Sequence, residues 1–194
     1  MNASLQIGFL TGQSNPHSCA LSPIQHAFLS QVATPDVELL DLNFPYRHGP
    51  CFTPTPLWQA SINNLKQYLL SRKHEYGTRH RSDVVDVINK AHHTVFLAGS
   101  CGLELFTNLH LSAEAMQRCT LIAFGPVTRQ VPAGVRVIIA QGTRDLLSRF
   151  FVSRCDHPLE CSHLDYLTNP TFVRLCQDII QQEFSKLPCN STSV

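Results

Sequence analysis

The sequence predicts an α/β protein with three layers, in which helices cover both faces of a mostly parallel, doubly wound sheet of five or six strands. Short apolar runs rich in β-branched residues alternate along the chain with segments of helical spacing. The apolar runs are nearly continuous, which is typical of parallel strands buried on both faces. The chain has 194 residues, enough for a substantial core. Because neither a repeat nor a domain boundary interrupts it, we expect one domain over residues 1–194.

Composition and charge exclude several classes of partner. Hydrophobic residues make up 43% of the chain, charged residues 15%, and the formal net charge is +1. This balance predicts neither a nucleic-acid partner nor an acidic membrane surface. No apolar run approaches the roughly 20 residues of a membrane span, and residues 1–5 lack the features of a signal peptide. We therefore expect a cytoplasmic protein without a membrane partner, and its oligomeric state stays open.

The chain contains eight cysteines, none of them in a C-x-x-C pair. Such pairs are the usual mark of zinc and redox sites, so neither kind of site is predicted. Several cysteines fall at apolar positions, where cysteine acts as a small hydrophobic residue. We predict no metal and no cofactor.

The first part of the chain predicts a strand, a helix and a second strand. An apolar run over residues 5–10 ends in a loop of turn formers. Ser22 and Pro23 then begin a helix, with Ser22 as N-cap and Gln25 placed for a capping box. The next apolar run covers residues 37–42. Strand, helix and strand in this order favour a parallel pair.

An irregular segment over residues 43–56 is rich in proline and aromatic residues. Loops of this length inside a domain are usually functional. This loop follows the carboxyl end of a strand, which is the edge where open α/β sheets bind ligands. We predict that it forms part of the rim of a pocket; a purely structural crossover is the alternative.

Helices and strands continue to alternate through the rest of the chain. A helix over residues 57–73 is predicted to bury an apolar face made of Trp58, Ile62, Leu65 and Leu69. The remaining predicted elements are a polar connector over 74–81, a helix capped by Ser82, strands over 94–98, 119–124, 135–140 and 157–161, short helices over 112–118 and 146–153, a final helix from Asn169 whose buried stripe includes Phe184, and a frayed tail over 188–194.

The segment over residues 94–106 predicts a strand, a sharp turn and a helix, with Ser100 at the turn. Ala98 and Gly102 lie two residues to either side of the serine. A serine on such a tight turn has strained backbone angles and close neighbours, so only Gly or Ala fits at those two positions. The pattern predicts a nucleophile elbow, which exposes the hydroxyl at a helix N-terminus whose N–H groups can stabilise an oxyanion.

Serine nucleophiles need a base and an acid that orients it. Asp145 and His163 each follow a predicted strand, so with Ser100 they are expected at one edge of the sheet. The other candidates for the acid are Asp156, Glu160 and Asp165, and the chain has ten histidines. Cys101 is an alternative nucleophile, but it would place the bulky Leu103 at a close-packed position.

These motifs together resemble those of a small α/β-hydrolase without a cap domain. The segments that carry the resemblance are the first strand with Thr11 and Gly12, residues 37–45, residues 135–145 that end in Gly-x-x-Asp, and residues 162–166 around the histidine. The likeness covers nearly the whole chain. It departs from the family at Thr11, where a histidine is usual, and we expect the family's two leading strands to be absent.

The resemblance implies roles for individual residues. Ser100 would be the nucleophile, His163 the base and Asp145 the acid, with the backbone N–H groups of Cys101 and Gln13 (or Ser14) as the oxyanion hole. The other residues expected to contact substrate are Ser14, His17, Phe44 and Tyr46.

The implied activity is hydrolysis of a small carboxylic ester or thioester, with a small-molecule acyl compound as substrate. Acyl transfer by the same three residues stays open, as does a non-catalytic binding protein with this fold. A nucleotide-binding domain is disfavoured, because no Gly-rich phosphate loop follows the first strand.

Overall fold

Six strands form one wholly parallel sheet in the computed structural model, which describes residues 3–187. The strands are β1 Ala3–Phe9, β2 Val37–Leu39, β3 Ala91–Gly99, β4 Cys119–Phe124, β5 Arg136–Gly142 and β6 His157–Leu159. Their spatial order is β2-β1-β3-β4-β5-β6. The predicted α/β class with a parallel sheet is confirmed. The expected frayed tail lies outside the described residues.

Seven α-helices accompany the strands within the described part of the chain, and the last of them follows β6. They are α1 Pro23–Val32, α2 Leu57–Leu70, α3 His74–Ile88, α4 Gly102–Thr107, α5 Ala113–Gln117, α6 Leu146–Phe151 and α7 Pro170–Lys186, with a short 3-10 helix at Tyr166–Thr168. The capping box predicted for α1 is present, since the Ser22 and Gln25 side chains each accept from the other residue's backbone N–H.

The strand order places a topological switch point between β1 and β3. The chain passes from β1 to β2, which pairs with one edge of β1. The next strand, β3, pairs with the other edge of β1. Connections therefore leave these two carboxyl ends in opposite directions and open a crevice there, the usual ligand site of open α/β sheets. The loop after β1 and the turn at Ser100 both meet this crevice.

A hydrophobic core lies on each face of the sheet. On one face α1 and α7 pack over the strands, and the rings of Phe28 and Phe172 stack with centroids 5.4 Å apart. On the other face, side chains of α3 and α4 such as Ile88 and Phe106 pack against Phe96. Burying each such side chain contributes about 1.5–3 kcal/mol. This double burial explains the continuous apolar runs of the strands.

Three predicted features are wrong around α2 and α3. Residues 74–81 belong to α3 rather than to a connector, because Tyr76 and Gly77 are buried against the rest of the protein. Ser82 therefore lies inside α3 and does not cap a helix. The predicted buried face of α2 is exposed: Trp58 is 68% and Leu65 is 57% accessible. The described side chains of α2 that are buried are Ala60 and Tyr68 instead.

The orientation of α2 has a polar cause. Asn63 Nδ2 donates to the carbonyl of Ser14 (2.8 Å), and Gln67 Oε1 accepts from the backbone N–H of Gln13 (2.7 Å). These amides attach α2 to the loop after β1, so the apolar side of the helix points away from the core. On α7, Phe184 is likewise exposed, where the sequence predicted burial.

Candidate active site

Ser100 occupies a strained turn between β3 and α4. Its φ is +50°, a left-handed value that is uncommon outside glycine and costs about 1–3 kcal/mol. Two backbone hydrogen bonds hold the turn: Ser100 N–H donates to Phe124 O (3.2 Å), and Val127 N–H donates to Ser100 O (2.8 Å). The turn is therefore fixed to the end of β4 and the loop that follows it.

The residues around the serine are small for a steric reason that the structure shows. A Cβ added to Gly102 would lie 2.1 Å from the carbonyl oxygen of Leu10 and 3.2 Å from Ala98 Cβ. Any larger side chain at Gly102 would push α4 away from the carboxyl end of β1. The tight strand–turn–helix packing expected from the sequence is present.

His163 and Asp145 form a hydrogen-bonded pair. His163 Nδ1 lies 2.9 Å from Asp145 Oδ2. The same oxygen accepts from the Tyr166 hydroxyl at 2.8 Å, and Asp145 Oδ1 accepts from Ser148 N–H at 3.0 Å. Each carboxylate oxygen thus has a donor, which fixes the orientation of the carboxylate toward the imidazole.

Asp145 is 1% exposed, yet its environment favours the ionised form. Burial by itself raises the pKa of this carboxyl, but the hydrogen bonds from His163, Ser148 N–H and Tyr166 outweigh it and hold the pKa below its ordinary value. An ionised Asp145 can accept a hydrogen bond from the Nδ1–H of His163, an arrangement that leaves Nε2 unprotonated and able to act as a base. A carboxylate in this position can also stabilise an imidazolium.

Two of the three other candidate acids, Asp156 and Asp165, are engaged elsewhere, and the third, Glu160, is exposed. Asp156 accepts hydrogen bonds from Arg154 and from Ile139 N–H, and Asp165 accepts from Ser162. Asp145 is the candidate that contacts His163.

Tyr166 is a site residue that the sequence did not single out. Its hydroxyl is buried, accepts from Gly142 N–H at 2.7 Å and donates to Asp145. Burial raises the pKa of Tyr166 far above its usual range, so the hydroxyl stays protonated and remains a donor. Its place three residues after His163 was visible, but nothing in the sequence reveals this contact.

Replacing Tyr166 with Phe is expected to lower the free energy of unfolding by about 1–3 kcal/mol, because it leaves the buried Gly142 N–H unpaired. Urea denaturation measures the change. Tyr76→Phe is the matched control, since the buried Tyr76 hydroxyl has no hydrogen-bond partner among residues 3–187. Equal decreases in the free energy of unfolding of the two variants would contradict a role for the Tyr166 hydroxyl.

Gly125 lies beneath the His163–Asp145 pair and was also missed. Its φ is +53°, and an added Cβ would lie 2.8 Å from Asp145 Oδ2, 2.8 Å from Tyr166 Cε2 and 3.2 Å from His163 Nδ1. The pair can therefore approach this turn only because no side chain is present. A Gly-Pro pair directly after a strand was the available signal.

A cavity of about 580 Å³ opens at the crevice. Its lining includes Ser100, His163 and Cys101, together with Gln13 and Ser14 of the loop after β1. Asp145 lies behind His163. The 43–56 loop, α2 and α6 contribute further lining residues, which include Phe52, Thr53, Leu57, Leu65, Leu147 and Phe151. The second half of the 43–56 loop therefore forms part of the rim, as predicted.

The structure places three predicted substrate contacts away from the cavity. Phe44 is fully buried in the core beside Tyr76. Tyr46 donates its hydroxyl to Phe9 O at 2.9 Å and packs against the same core. His17 is exposed and does not line the cavity. The aromatic residues at the start of the loop, Phe44 and Tyr46, pack in the core. The loop reaches the rim of the cavity later, at Phe52 and Thr53.

The predicted oxyanion donors differ in their availability. Cys101 follows Ser100 directly and precedes α4, so its backbone N–H lies at the turn. The N–H of Gln13, in contrast, donates to Gln67 Oε1 at 2.7 Å, a partner that the sequence did not reveal. In this arrangement Gln13 N–H is not free for an oxyanion.

Cys101 is unsuited to be the nucleophile. Its thiol is buried, and burial raises its pKa to about 12. Nucleophilic cysteines need the thiolate and have lowered pKa values instead.

Within residues 3–187, no three His, Cys, Asp or Glu side chains are grouped so that they could hold a metal ion. None of the helices in that range combines the length and apolarity needed to cross a bilayer.

Comparison with known proteins gives likenesses of fold. No family model and no curated protein matches the chain. The chain is similar to a lidless α/β serine hydrolase from Xanthomonas campestris, with 12% identity, a TM-score of 0.47, and coverage of 97% of this chain and 84% of that one. It is also similar to the NADH:FMN oxidoreductase EMOB (13% identity, TM-score 0.41, coverage 97% and 92%) and to Smu.1420 from Streptococcus mutans (10%, 0.31, 93% and 99%).

Proposed function

We propose that this protein is a serine hydrolase that cleaves a small carboxylic ester or thioester through an acyl-enzyme. One observation supports the proposal above others. A serine on a strained strand-to-helix turn lines the same cavity as a histidine whose Nδ1 is 2.9 Å from a buried carboxylate. The shared cavity carries the proposal, because no hydrogen bond joins the Ser100 and His163 side chains within residues 3–187.

The proposed reaction begins with attack of Ser100 Oγ on the acyl carbonyl. His163 Nε2 takes the hydroxyl proton and later gives it to the leaving alcohol or thiol, while Asp145 holds the imidazole. Water then enters, loses a proton to His163 and releases the acid. The Cys101 N–H stabilises the oxyanion in both steps, and Gln13 N–H joins it once Gln67 releases it.

The cavity lining supports an apolar acyl group as substrate. Leu57, Leu65, Leu147 and Phe151 surround the opening, and a volume of about 580 Å³ is within the range of small-molecule sites. Acyl transfer uses the same residues and differs only in the acceptor that resolves the acyl-enzyme.

Labelling with a fluorophosphonate probe tests the proposal, because the probe reacts only with an activated serine. We expect the wild type to be labelled, with the adduct at Ser100 in peptide mass spectrometry, and Ser100→Ala to lose the label. Ser61→Ala is the matched control, since Ser61 also lines the cavity but donates its hydroxyl to Leu57 O. Folded wild-type protein that does not react would contradict the proposal.

A second candidate function is a non-catalytic binding protein. The observation that favours it is the occupied Gln13 N–H, which leaves the oxyanion hole incomplete in this arrangement. The labelling experiment separates the two functions, since a binding protein has no reason to activate Ser100.

A further inference from the structure

The helices beside the cavity mouth present an unusual number of apolar side chains to solvent. Trp58 on α2 is 68% exposed, and Leu146 and Phe150 on α6 are 76% and 85% exposed. Large exposed apolar groups that occur together usually mark an interaction site. We define the apolar face as Leu57, Trp58, Ile62, Leu65, Leu69, Leu146, Leu147 and Phe150.

The two helices form one surface around the cavity. The rings of Tyr68 on α2 and Phe151 on α6 lie with centroids 6.2 Å apart. Leu57, Leu65 and Leu147 of the apolar face also line the cavity. A partner on this face would therefore lie beside the opening of the cavity that Ser100 lines.

The charge on this face differs from that of the whole chain. The protein has 15 basic and 14 acidic residues, but segments 57–73 and 144–154 contain one acid, the buried Asp145. Their basic residues are Lys66, Arg72, Lys73, Arg144, Arg149 and Arg154. Arg72 and Arg154 are paired with carboxylates, and Arg144 lies near Asp165. Lys66, Lys73 and Arg149 have no carboxylate partner within residues 3–187, although Arg149 donates to the backbone carbonyl of Thr143 at 2.8 Å.

The cations lie within the apolar face. Lys66 is four residues after Ile62 and three before Leu69, and Arg149 is three residues after Leu146. On a helix such spacings place side chains on one side. The surface thus combines aromatic and aliphatic groups with unpaired positive charge, which is the composition of helices that lie in a lipid interface.

We propose that the apolar face docks on an anionic lipid surface. Trp58 and Phe150 enter the interfacial region, while Lys66 and Arg149 meet the negative headgroups. The cavity mouth then faces the lipid. The net charge of the whole chain, +1, had led to the expectation of no membrane partner. That value averages the basic segments 57–73 and 144–154 with the rest of the chain, in which acidic residues outnumber basic ones.

Two other occupants fit less well. A second copy in an isologous pair would bring Lys66 and Arg149 opposite the same cations, with no exposed acid on α2 or α6 to pair with them. An acidic protein would need directional hydrogen bonds, about one per 100–200 Å² of interface. The outward side of α2 is largely aliphatic, which suits a lipid surface better.

The protein carries its own probe, since Trp58 is its single tryptophan. We expect its emission to move to shorter wavelength when Ser100→Ala protein meets vesicles of equal phosphatidylcholine and phosphatidylglycerol, and the protein to float with them. The Ser100→Ala background removes any hydrolysis of lipid. Pure phosphatidylcholine vesicles should bind far less, and added salt should weaken binding to the anionic ones.

Variants locate the surface. Lys66→Gln and Arg149→Gln should each weaken binding to anionic vesicles about fivefold. Phe150→Ala alone should weaken binding more than either of these two variants. Phe184→Ala, an exposed aromatic on α7 outside this face, is the matched control and should bind as before.

Three outcomes would overturn the proposal: no fluorescence shift with anionic vesicles, a shift that grows with protein concentration in the absence of lipid, or binding unaffected by the Lys66 and Arg149 variants. Docking does not rest on the proposed chemistry. Vesicle binding without fluorophosphonate labelling would leave the lipid surface standing and refute the hydrolase.

Discussion

Replacing Asp145 with Asn is expected to lower kcat for hydrolysis of p-nitrophenyl butyrate by about 10⁴-fold. The reason lies in the hydrogen bonds of the carboxylate. Ser148 N–H donates to Oδ1, so the amide of Asn would keep its oxygen there and turn its NH₂ group toward His163 Nδ1. His163 would then carry its proton on Nε2 and could not accept one from Ser100.

Asp156→Asn is the matched control for this prediction. Asp156 also has a pKa below its ordinary value, because bonds from Arg154 and Ile139 N–H outweigh the effect of burial. Its loss should affect stability but leave kcat nearly unchanged, because Asp156 neither lines the cavity nor contacts His163. Comparable losses of kcat in both folded variants would refute the assignment of Asp145.

Replacing Gly125 with Ala is expected to abolish activity and to destabilise the fold. The left-handed backbone costs an alanine about 1–2 kcal/mol. The new methyl group also lies 2.8 Å from Asp145 Oδ2 and 3.2 Å from His163 Nδ1, and such overpacking costs a further 1–3 kcal/mol or so. Relief of this clash separates the pair. Ester hydrolysis and urea denaturation measure the two effects.

Gly134→Ala separates backbone strain from damage to the site. Gly134 also has a positive φ, +81°, but its added Cβ would meet only Met116 Cε at 3.4 Å. In this variant the free energy of unfolding should fall only by the cost of the backbone strain, and the activity should stay at the wild-type level. Inactivation of both variants to the same degree would show that Gly125 acts through stability and not through the site.

The sequence predicted the parts of the protein that depend on local pattern. Apolar, β-branched runs predicted the strands, and β4 at Cys119–Phe124 has the predicted bounds. The capping box of α1 depends on residues three apart, so it too was visible. The turn at Ser100 and the positions of Asp145 and His163 at strand ends follow from short motifs.

Features that depend on tertiary contact could not be predicted. Periodicity identifies the apolar side of α2 but not what that side faces, and the amides of Asn63 and Gln67 reversed the expected orientation. Tyr166 and Gly125 matter because the fold brings them to Asp145. The Gly-Pro pair after β4 marks a turn in the sequence but does not show what that turn contacts. Phe44 was assigned to the pocket from residue type, although an aromatic residue in a long loop packs equally well in a core.

The backbone bonds of the turn at Ser100 have a consequence for folding. Ser100 N–H is held by β4 through Phe124, and Gly125 N–H is held by β5 through Ala140 O at 3.1 Å. The site therefore forms only when three parallel strands have their native register, and each pairing closes a long connection. A slip of one residue would move Ser100 by about 3.3 Å and reverse the faces of the strand. Recovery of activity during refolding should thus follow the last strand pairing and not the first collapse.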